Sequence, residues 1–597
     1  MLDNRAGSCH TPFSCIVLGV NVPPQHQSPN TRELHPCLPV GRNRGVTAMR
    51  RWNGWGDDHI TYSLRPAAVH FLTSILGPGK RPPQATLAEV LARVPPTRLP
   101  AHPLLNRTPP ERLRHALGQG FPDWVDARYG TMSTFPDAVA FPNSNEDVQA
   151  LISYARDVGA RLLPYGGGTS VVGHLRIRSE QQPVLVVDMK RMRRLLRVDT
   201  ESRLATFQAG IPGPDLEAYL RAYGFTLGHF PQSFEYSTLG GWIATRSVGQ
   251  ESYRYGRMDE QFAGGRVETP MGPWVLPPYP ASAAGPDLRQ VVLGSEGRLG
   301  VITEAVVRIS PAPEMKDFRA VFFPDLVQGL AALRQMAQER VPVSLLRLST
   351  PRETRVLLAL SGKGHLVRWL ERWLSLRGAG KERCLLVVGA CGTTSQSRQA
   401  FALTTAIARE HKGIIGPHLV AREWAKSRFR SPYLRNTLWE LGYGVDTVET
   451  AAPWERIPAL LTAVEVALRV TLREIEELGL VFSHISHVYP SGASIYTTFL
   501  FRLAETPEET MARWQALKTA VSWAIVKYGG TISHQHGAGT DHAPYLEAEK
   551  GPVGMAIERA IFLAADPEGL MDVRGEREEN VNSFPPLSSS QGGGNES

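Results

Sequence analysis

The run Arg161-Leu-Leu-Pro-Tyr-Gly-Gly-Gly-Thr-Ser170 closes a short apolar stretch with three consecutive glycines and two hydroxyls. Residues without Cβ let the backbone take positive φ and bring successive N–H groups close to a phosphate, and Thr169 and Ser170 add hydroxyl donors. The run can therefore cradle an anion, although a glycine triplet also fits an ordinary turn. Two further glycine and hydroxyl loops follow. One is Gly228-His-Phe-Pro-Gln-Ser-Phe-Glu-Tyr-Ser-Thr-Leu-Gly-Gly-Trp242 with Ala244-Thr-Arg-Ser247, the other Gly294-Ser-Glu-Gly-Arg-Leu-Gly-Val-Ile-Thr-Glu304. Each alone is compatible with a turn, but their succession at intervals of about 65 residues points to one site built from three loops. Far downstream, Ser533-His-Gln-His-Gly-Ala-Gly539 sets two imidazoles one residue apart. Neutral imidazoles can take a proton from an alcohol or a C–H bond. With His542 nearby they could also suggest a metal, but no third-ligand spacing supports one, and hydrogen-bonded loop histidines are the plain alternative.

Those loops need a scaffold. From about residue 132 the pattern alternates strand and helix. Asn143 to Asp147 starts a helix with Val148, Leu151, Ile152 and Ala155 on one face, and Gly159 stops it. Strands are expected at Arg161 to Pro164, Val184 to Val187, Leu195 to Val198 and Leu204 to Ala209, then a helix with Leu216, Tyr219, Leu220 and Tyr223 inward. From about 313 the second half should be α+β, with helices at 325–339, 398–411 and 457–479 on strands such as Leu385 to Val388 and Ser494 to Phe501. Residues 58 to about 128 read as a helical lead-in broken by prolines, preceded by Met49-Arg-Arg-Trp-Asn-Gly-Trp-Gly-Asp57. Residues 1–48 lack periodicity and read as disordered or as a misassigned leader; the tail 576–597 is low-complexity and reads as disordered.

The 597 residues carry a net charge of +8, with 42% hydrophobic residues. Such a balance suits a phosphorylated substrate or an anionic membrane surface, and without a dense Lys/Arg block nothing reads as nucleic-acid binding. Three of the five cysteines lie in the first 37 residues, which argues against a disulfide framework and for a reducing compartment. No run of 18 apolar residues is present to span a membrane.

Tyr165-Gly-Gly-Gly-Thr-Ser170, Ser237-Thr-Leu-Gly-Gly241 and Gly294-Ser-Glu-Gly-Arg-Leu-Gly300 resemble the FAD-binding domain of the vanillyl-alcohol oxidase and p-cresol methylhydroxylase (PCMH-type) flavoproteins. Within them the resemblance is to the alkyldihydroxyacetonephosphate synthases, which make the ether bond of ether lipids. It runs from Trp52 to about residue 575 and includes Trp-Asn-Gly-Trp-Gly56, Thr245-Arg-Ser247, Glu449-Thr450 with Pro453-Trp454, Ser494-Ile-Tyr496 and Ser533-His-Gln-His-Gly-Ala-Gly539. The resemblance implies an α+β protein: a helical region at 49–131, a PCMH-type FAD-binding domain at 132–312, and an FAD-linked oxidase cap carrying the substrate site at 313–575. It implies FAD contacts from four segments. These are Pro164, Tyr165, Gly166, Gly167, Gly168, Thr169 and Ser170; Gln232, Ser233, Phe234, Glu235, Tyr236, Ser237 and Thr238; Thr245, Arg246, Ser247 and Val248; and Glu296, Gly297, Arg298, Leu299, Gly300, Val301 and Ile302. No histidine directly precedes the glycine triplet, so the flavin is expected without a covalent link. Tyr496 matches the family's proton donor and acceptor, a role open to a buried phenol whose pKa a cation lowers. Arg435 and Arg347 match arginines of the substrate site, with Arg435 suited to clamp phosphate. His229, His534 and His536 match active-site histidines. The middle histidine of the family's triplet is Gln535 here, which cannot act as a base.

Two reactions follow from this resemblance. In the first, the acyl chain of 1-acyl-dihydroxyacetone phosphate is exchanged for a fatty alcohol, with the flavin acting as an electrophile at N5 and no net redox change. In the second, an FAD-dependent 2-hydroxyacid dehydrogenase acts on a substrate such as D-lactate or glycolate, as Gln535-His536-Gly537 lies between the two patterns. The first is favoured by the Trp-Asn-Gly-Trp-Gly start, the Ser-Ile-Tyr segment and the His-Gln-His-Gly order. No Ser-Lys-Leu terminus is present. A bacterial setting, either cytoplasmic or peripheral at a membrane, is the expectation, and a homodimer is open because relatives are often dimers.

Overall fold

The computed structural model describes residues 49–178, 181–360 and 364–574; the expectations for 1–48 and for the tail from 576 lie outside them. The α+β character is as expected, carried by three main sheets.

The first sheet orders Leu105–Asn106, Ala138–Ala140, Val184–Asp188 and Arg161–Tyr165, the last three parallel. The strand Val184–Asp188 is buried along its whole length, as expected for a parallel sheet covered on both faces. The helix Asn145–Asp157 is capped by the Ser144 side chain, buries Val148, Leu151, Ile152 and Ala155, and leads into Arg161–Tyr165. The glycine loop thus leaves the carboxyl end of a parallel strand, where ligands of parallel sheets gather. The second sheet is antiparallel, in the order Leu195–Asp199, Leu204–Gln208, Val301–Arg308, Phe262–Thr269 and Gly272–Leu276. The helix Gly213–Ala222 packs through Leu216 and Leu220, whereas Tyr219 and Tyr223, expected inward, are about half exposed. Each phenol keeps its hydroxyl in water at the rim of a narrow stripe. The lead-in is also less helical than expected: Pro66–Leu76, Leu87–Leu91, Pro109–Arg114 and Phe121–Tyr129 are short and joined by extended chain.

The third sheet has seven antiparallel strands: Ile414–Ile415, Met315–Phe323, Cys384–Gly392, Leu345–Ser349, Gly479–Tyr489, Gly492–Arg502 and Tyr443–Pro453. Side chains alternate between its faces. One face, with Phe323, Leu348, Leu386 and Val388, packs on the helices Leu326–Gln338, Thr394–Glu410, Ile457–Glu474 and Pro507–Lys527. The other face presents Arg347, His484, Tyr496, Thr498 and Leu500 to a cavity. The chain then returns: Leu162 N–H donates to the Leu570 carbonyl, and Val573 packs with Val139 and Val186 in the first sheet.

Candidate active site

A cavity of about 990 Å³ runs between the glycine loops and the open face of the seven-stranded sheet. Its loop end collects Pro164, Tyr165, Gly166, Gly167, Gly168, Thr169, Ser170, Gln232, Ser233, Ser237, Thr238, Thr245, Ser247, Val248, Glu296, Gly297, Gly300, Val301 and Ile302. Of the residues expected there, Phe234, Glu235, Tyr236, Arg246, Arg298 and Leu299 do not line it. Phe234 and Leu299 are buried in the neighbouring core, where alternation along each loop sends every second or third side chain. Glu235 and Tyr236 bond the Tyr433 hydroxyl at 2.7 and 2.9 Å. Arg246 donates to the Leu293 carbonyl at 3.1 Å, and Arg298 to Glu558 at 3.2 Å.

The glycine loop has the construction a pyrophosphate needs. A Cβ on Gly167 would fall 1.9 Å from the Tyr236 carbonyl oxygen, and one on Gly166 2.4 Å from Thr238 Oγ1, so only glycine permits the close approach of the two loops. Among the described residues, no backbone N–H from Gly166 to Ser170 donates to a protein acceptor, which leaves a row of donors for an anion. Two residues of the Met49–Asp57 stretch close the loop from outside: Arg50 donates to the Gly167 carbonyl at 3.3 Å, and Trp55 packs edge-on against Tyr236. Tyr165, which stands where a histidine would allow a covalent link, is pushed up to about 12 by burial.

Glu296 has a part that its sequence position did not announce. It takes a positive φ of 54°, unusual for a residue with a side chain. Its carboxylate accepts from the backbone N–H groups of Ala538 at 2.5 Å and Gly539 at 3.1 Å, and from Arg574 at 2.9 Å. Through it the third glycine loop holds the His-Gln-His-Gly loop. Positive neighbours, His174 and Arg574 among them, outweigh burial and hold this carboxyl well below the usual range.

Register arranges the sheet face in rows. Tyr496 pairs with His484 on one side and Glu449 on the other, Thr498 with Phe482 and Thr447, and Leu500 with Leu480 and Val445. The face is therefore polar near the loops and apolar farther on, over about 13 Å at the usual strand rise. Beyond Leu480 and Leu500, the lining continues with Leu72, Val356, Leu360 and Leu438.

At the polar end Tyr496 stacks on His484 at 4.9 Å between centroids, and its hydroxyl donates to Thr447 Oγ1 at 3.2 Å. A cation that would lower the phenol's pKa has little effect here: burial raises it, and Arg435 offsets this only in small part. Arg435 lies over the Trp124 ring at 4.4 Å and donates to the Gln119 carbonyl at 2.6 Å. Arg347 also lines the cavity, but its charge is met by Glu353 at 2.8 Å, and it contacts His484 Nδ1 at 3.0 Å. Arg347 and His484 hold Glu353 down at about 2 against burial.

The histidines divide. His536 lines the cavity edge-on to Tyr496, and burial lowers its pKa. His534 lies behind the lining: its Nε2 contacts Tyr489 Oη at 2.8 Å and Arg257 at 3.2 Å, and its Nδ1 contacts Glu449 at 3.0 Å. Because Arg257 can only donate, Nε2 accepts, and the ring proton sits on Nδ1 facing Glu449. Gln535 donates to the other oxygen of Glu449. His229 is buried with Nε2 at 3.0 Å from Ser247 Oγ, does not line the cavity, and is driven down to about 3 by burial. It supports Ser247, which does line it.

The metal alternative of His534, His536 and His542 is not what the fold gathers, since His542 Nδ1 contacts the Gly537 carbonyl at 3.0 Å. Glu449, His487 and His534 instead bring one potential ligand atom each within 4.8 Å of one another. The Arg257 cation beside His534 and the proton on its Nδ1 make this a hydrogen-bond network around Glu449.

Residues 136–275 match the FAD binding domain family, and residues 312–572 match the C-terminal domain of FAD linked oxidases. Fold and site together define an FAD-dependent flavoprotein with FAD as cofactor. An alkyldihydroxyacetonephosphate synthase from Dictyostelium discoideum is 30% identical over 473 residues, 78% of this chain and 77% of its own. The chain belongs to the alkyldihydroxyacetonephosphate synthase family. A solved alkyldihydroxyacetonephosphate synthase superposes with a TM-score of 0.74 at 25% identity, covering 88% of this chain and 99% of its own. A mitochondrial D-lactate dehydrogenase [cytochrome] from Arabidopsis thaliana is more distant, at 25% over 446 residues, 73% of this chain and 72% of its own.

Proposed function

We propose that the protein exchanges the acyl chain of 1-acyl-dihydroxyacetone phosphate for a fatty alcohol, forming the alkyl ether. The observation that carries this reading is the graded cavity: a phosphate-cradling loop end, a polar row at Tyr496, and an apolar sheet face beyond it that suits a long chain rather than a small hydroxyacid. In the net reaction the C1–O bond to the acyl group breaks, the C1–O bond to the alkyl group forms, and the alcohol proton leaves with the fatty acid. Bound FAD, held by the glycine loops, supplies an electrophilic centre and ends the turnover in the redox state in which it began.

The side chains divide the remaining work. Arg435, fixed over Trp124, turns its other N–H groups to the substrate phosphate, where a planar fork binds best. Arg347, already paired with Glu353, orients His484 beneath the Tyr496 ring. Tyr496 keeps its proton at neutral pH because burial raises its pKa, so it acts as donor toward the departing carboxylate. His536 stays neutral and serves as the base toward the alcohol. His534 and Gln535 bind Glu449 and thereby fix the loop that carries His536.

The test is anaerobic incubation of the flavin-loaded protein with palmitoyl-dihydroxyacetone phosphate and hexadecanol, and separately with D-lactate. Ether product and free fatty acid without lasting flavin bleaching are expected. Bleaching by D-lactate with no ether product would transfer the protein to the hydroxyacid dehydrogenases.

A further inference from the structure

Gln535 leaves the centre of the His-Gln-His-Gly loop without a base, and the fold brings another imidazole to the same carboxylate. The strand Gly479–Tyr489 pairs Ile485 with Ile495 and Val488 with Ala493, so Ser486 and His487 together face Ser494 across a β-bulge. The His487 backbone N–H donates to Ser494 Oγ at 3.2 Å. Neighbours on a regular strand point to opposite faces, but here Ser486 and His487 both line the cavity, on the polar side of His484. The His487 side chain is buried, its ring stacks on His534 at 5.1 Å between centroids, and its Nδ1 stands 3.3 Å from Ser252 Oγ. Its Nε2 lies 3.7 Å from Glu449 Oε1, beyond a hydrogen bond, whereas His534 and Gln535 bond that carboxylate directly. Burial lowers the His487 pKa and Glu449 opposes it, so the ring rests neutral.

We propose that His487 is a further catalytic base of this site, which takes the proton from C1 of the substrate and supplies the imidazole that Gln535 cannot. The inference rests on the acyl-exchange reading. That reaction has three proton movements: the alcohol has His536, the departing carboxylate has Tyr496, and the C1 proton has neither. C1 lies beside the ketone, so its proton is the acidic one, and a carbon that exchanges partners at an electrophilic centre gives it up first. With the Nδ1 proton donated to Ser252 Oγ, Nε2 carries the lone pair. The C1–H bond breaks, its electron pair stays on the substrate as an enolate, and the proton moves to Nε2. A proton returns from Nε2 to C1 before the ether leaves, with no electron gained or lost. The imidazolium formed in between faces Glu449, whose negative charge stabilises it.

The experiment follows deuterium entry at C1 of palmitoyl-dihydroxyacetone phosphate by mass spectrometry, with the FAD-loaded full chain in deuterium oxide and no alcohol. Wild type is expected to exchange this position. His487→Gln should slow the exchange roughly a hundredfold or more, with flavin spectrum and thermal midpoint near wild type. Gln535→His added to His487→Gln sets an imidazole against the other oxygen of Glu449 and should recover roughly tenfold. Exchange in His487→Gln within about threefold of wild type, or a double variant with no recovery, overturns the proposal. Should His487→Gln lose its flavin, Ser252→Ala decides, because Ser252 holds Nδ1 from outside the cavity lining. A fall of roughly tenfold there supports the proposal, and wild-type exchange overturns it. Ether formation from hexadecanol in the same preparations separates the two readings. Wild type that forms ether while His487→Gln exchanges normally refutes this assignment alone, whereas wild type that forms no ether refutes the function and this inference with it.

Discussion

Replacing Tyr496 by Phe removes one oxygen and leaves the rest of its surroundings nearly intact. The ring keeps its 4.9 Å stack on His484, and the hydroxyl's hydrogen bond is the 3.2 Å contact to Thr447, long for an O–H donor. Loss of such a bond costs about 1 kcal/mol of stability, so the variant should fold and load flavin. Loss of a positioned proton donor, by contrast, costs roughly 10²- to 10⁴-fold in rate, or about 3–5 kcal/mol on the barrier. The assay follows ether formation and fatty acid release at saturating substrate, with flavin absorbance and thermal midpoint recorded on the same sample. The expected result is a fall in kcat with spectrum and midpoint near wild type. Turnover within about threefold of wild type would refute the role, being far smaller than any general-acid contribution. Loss of the flavin spectrum would refute the reasoning differently, by showing that the hydroxyl holds the site together. Because burial raises the phenol, Tyr496 stays protonated through neutral pH and contributes no alkaline limb there.

Three other expectations follow from the site. The imidazole of His536 is lowered by burial, so the neutral, active base should persist as pH falls through the ordinary histidine range; the acid limb of kcat should lie below about 6.5 and vanish in His536→Ala. Glu449 stays ionised well below the usual carboxylate range, chiefly through its bond to His534, which works against burial. The stability it contributes is present above the unfolded value and lost as pH falls through the depressed folded value. Glu449→Gln should lower stability at neutral pH by about 3 kcal/mol, read from denaturant unfolding, and flatten the acid limb of stability. Gly167→Ala, whose Cβ would meet the Tyr236 carbonyl at 1.9 Å, should yield protein lacking the FAD spectrum; full flavin occupancy would contradict the cradle.

Sequence alone determined much of the local structure. Period and capping marked the helix Asn145–Asp157 and the buried strand Val184–Asp188, because burial of one face repeats every few residues and leaves its trace in the order of side chains. The glycine triplet and the two later loops were legible for the same reason, since close backbone approach tolerates no Cβ there. Tertiary structure decided which neighbours each ionisable group received. Nothing local says that Glu296, in a flavin loop, reaches Ala538 and Gly539 in another part of the chain, or that Glu449 fixes both His534 and Gln535. Adjacent histidines looked equivalent, but the fold gave His534 a closed set of partners and turned His536 to the cavity. The direction of the Tyr496 shift followed likewise from how much burial and how little cation the folded chain places around it. Pattern in a sequence records which faces are apolar; charge and proton affinity depend on groups hundreds of residues away, which only the packed chain brings within reach.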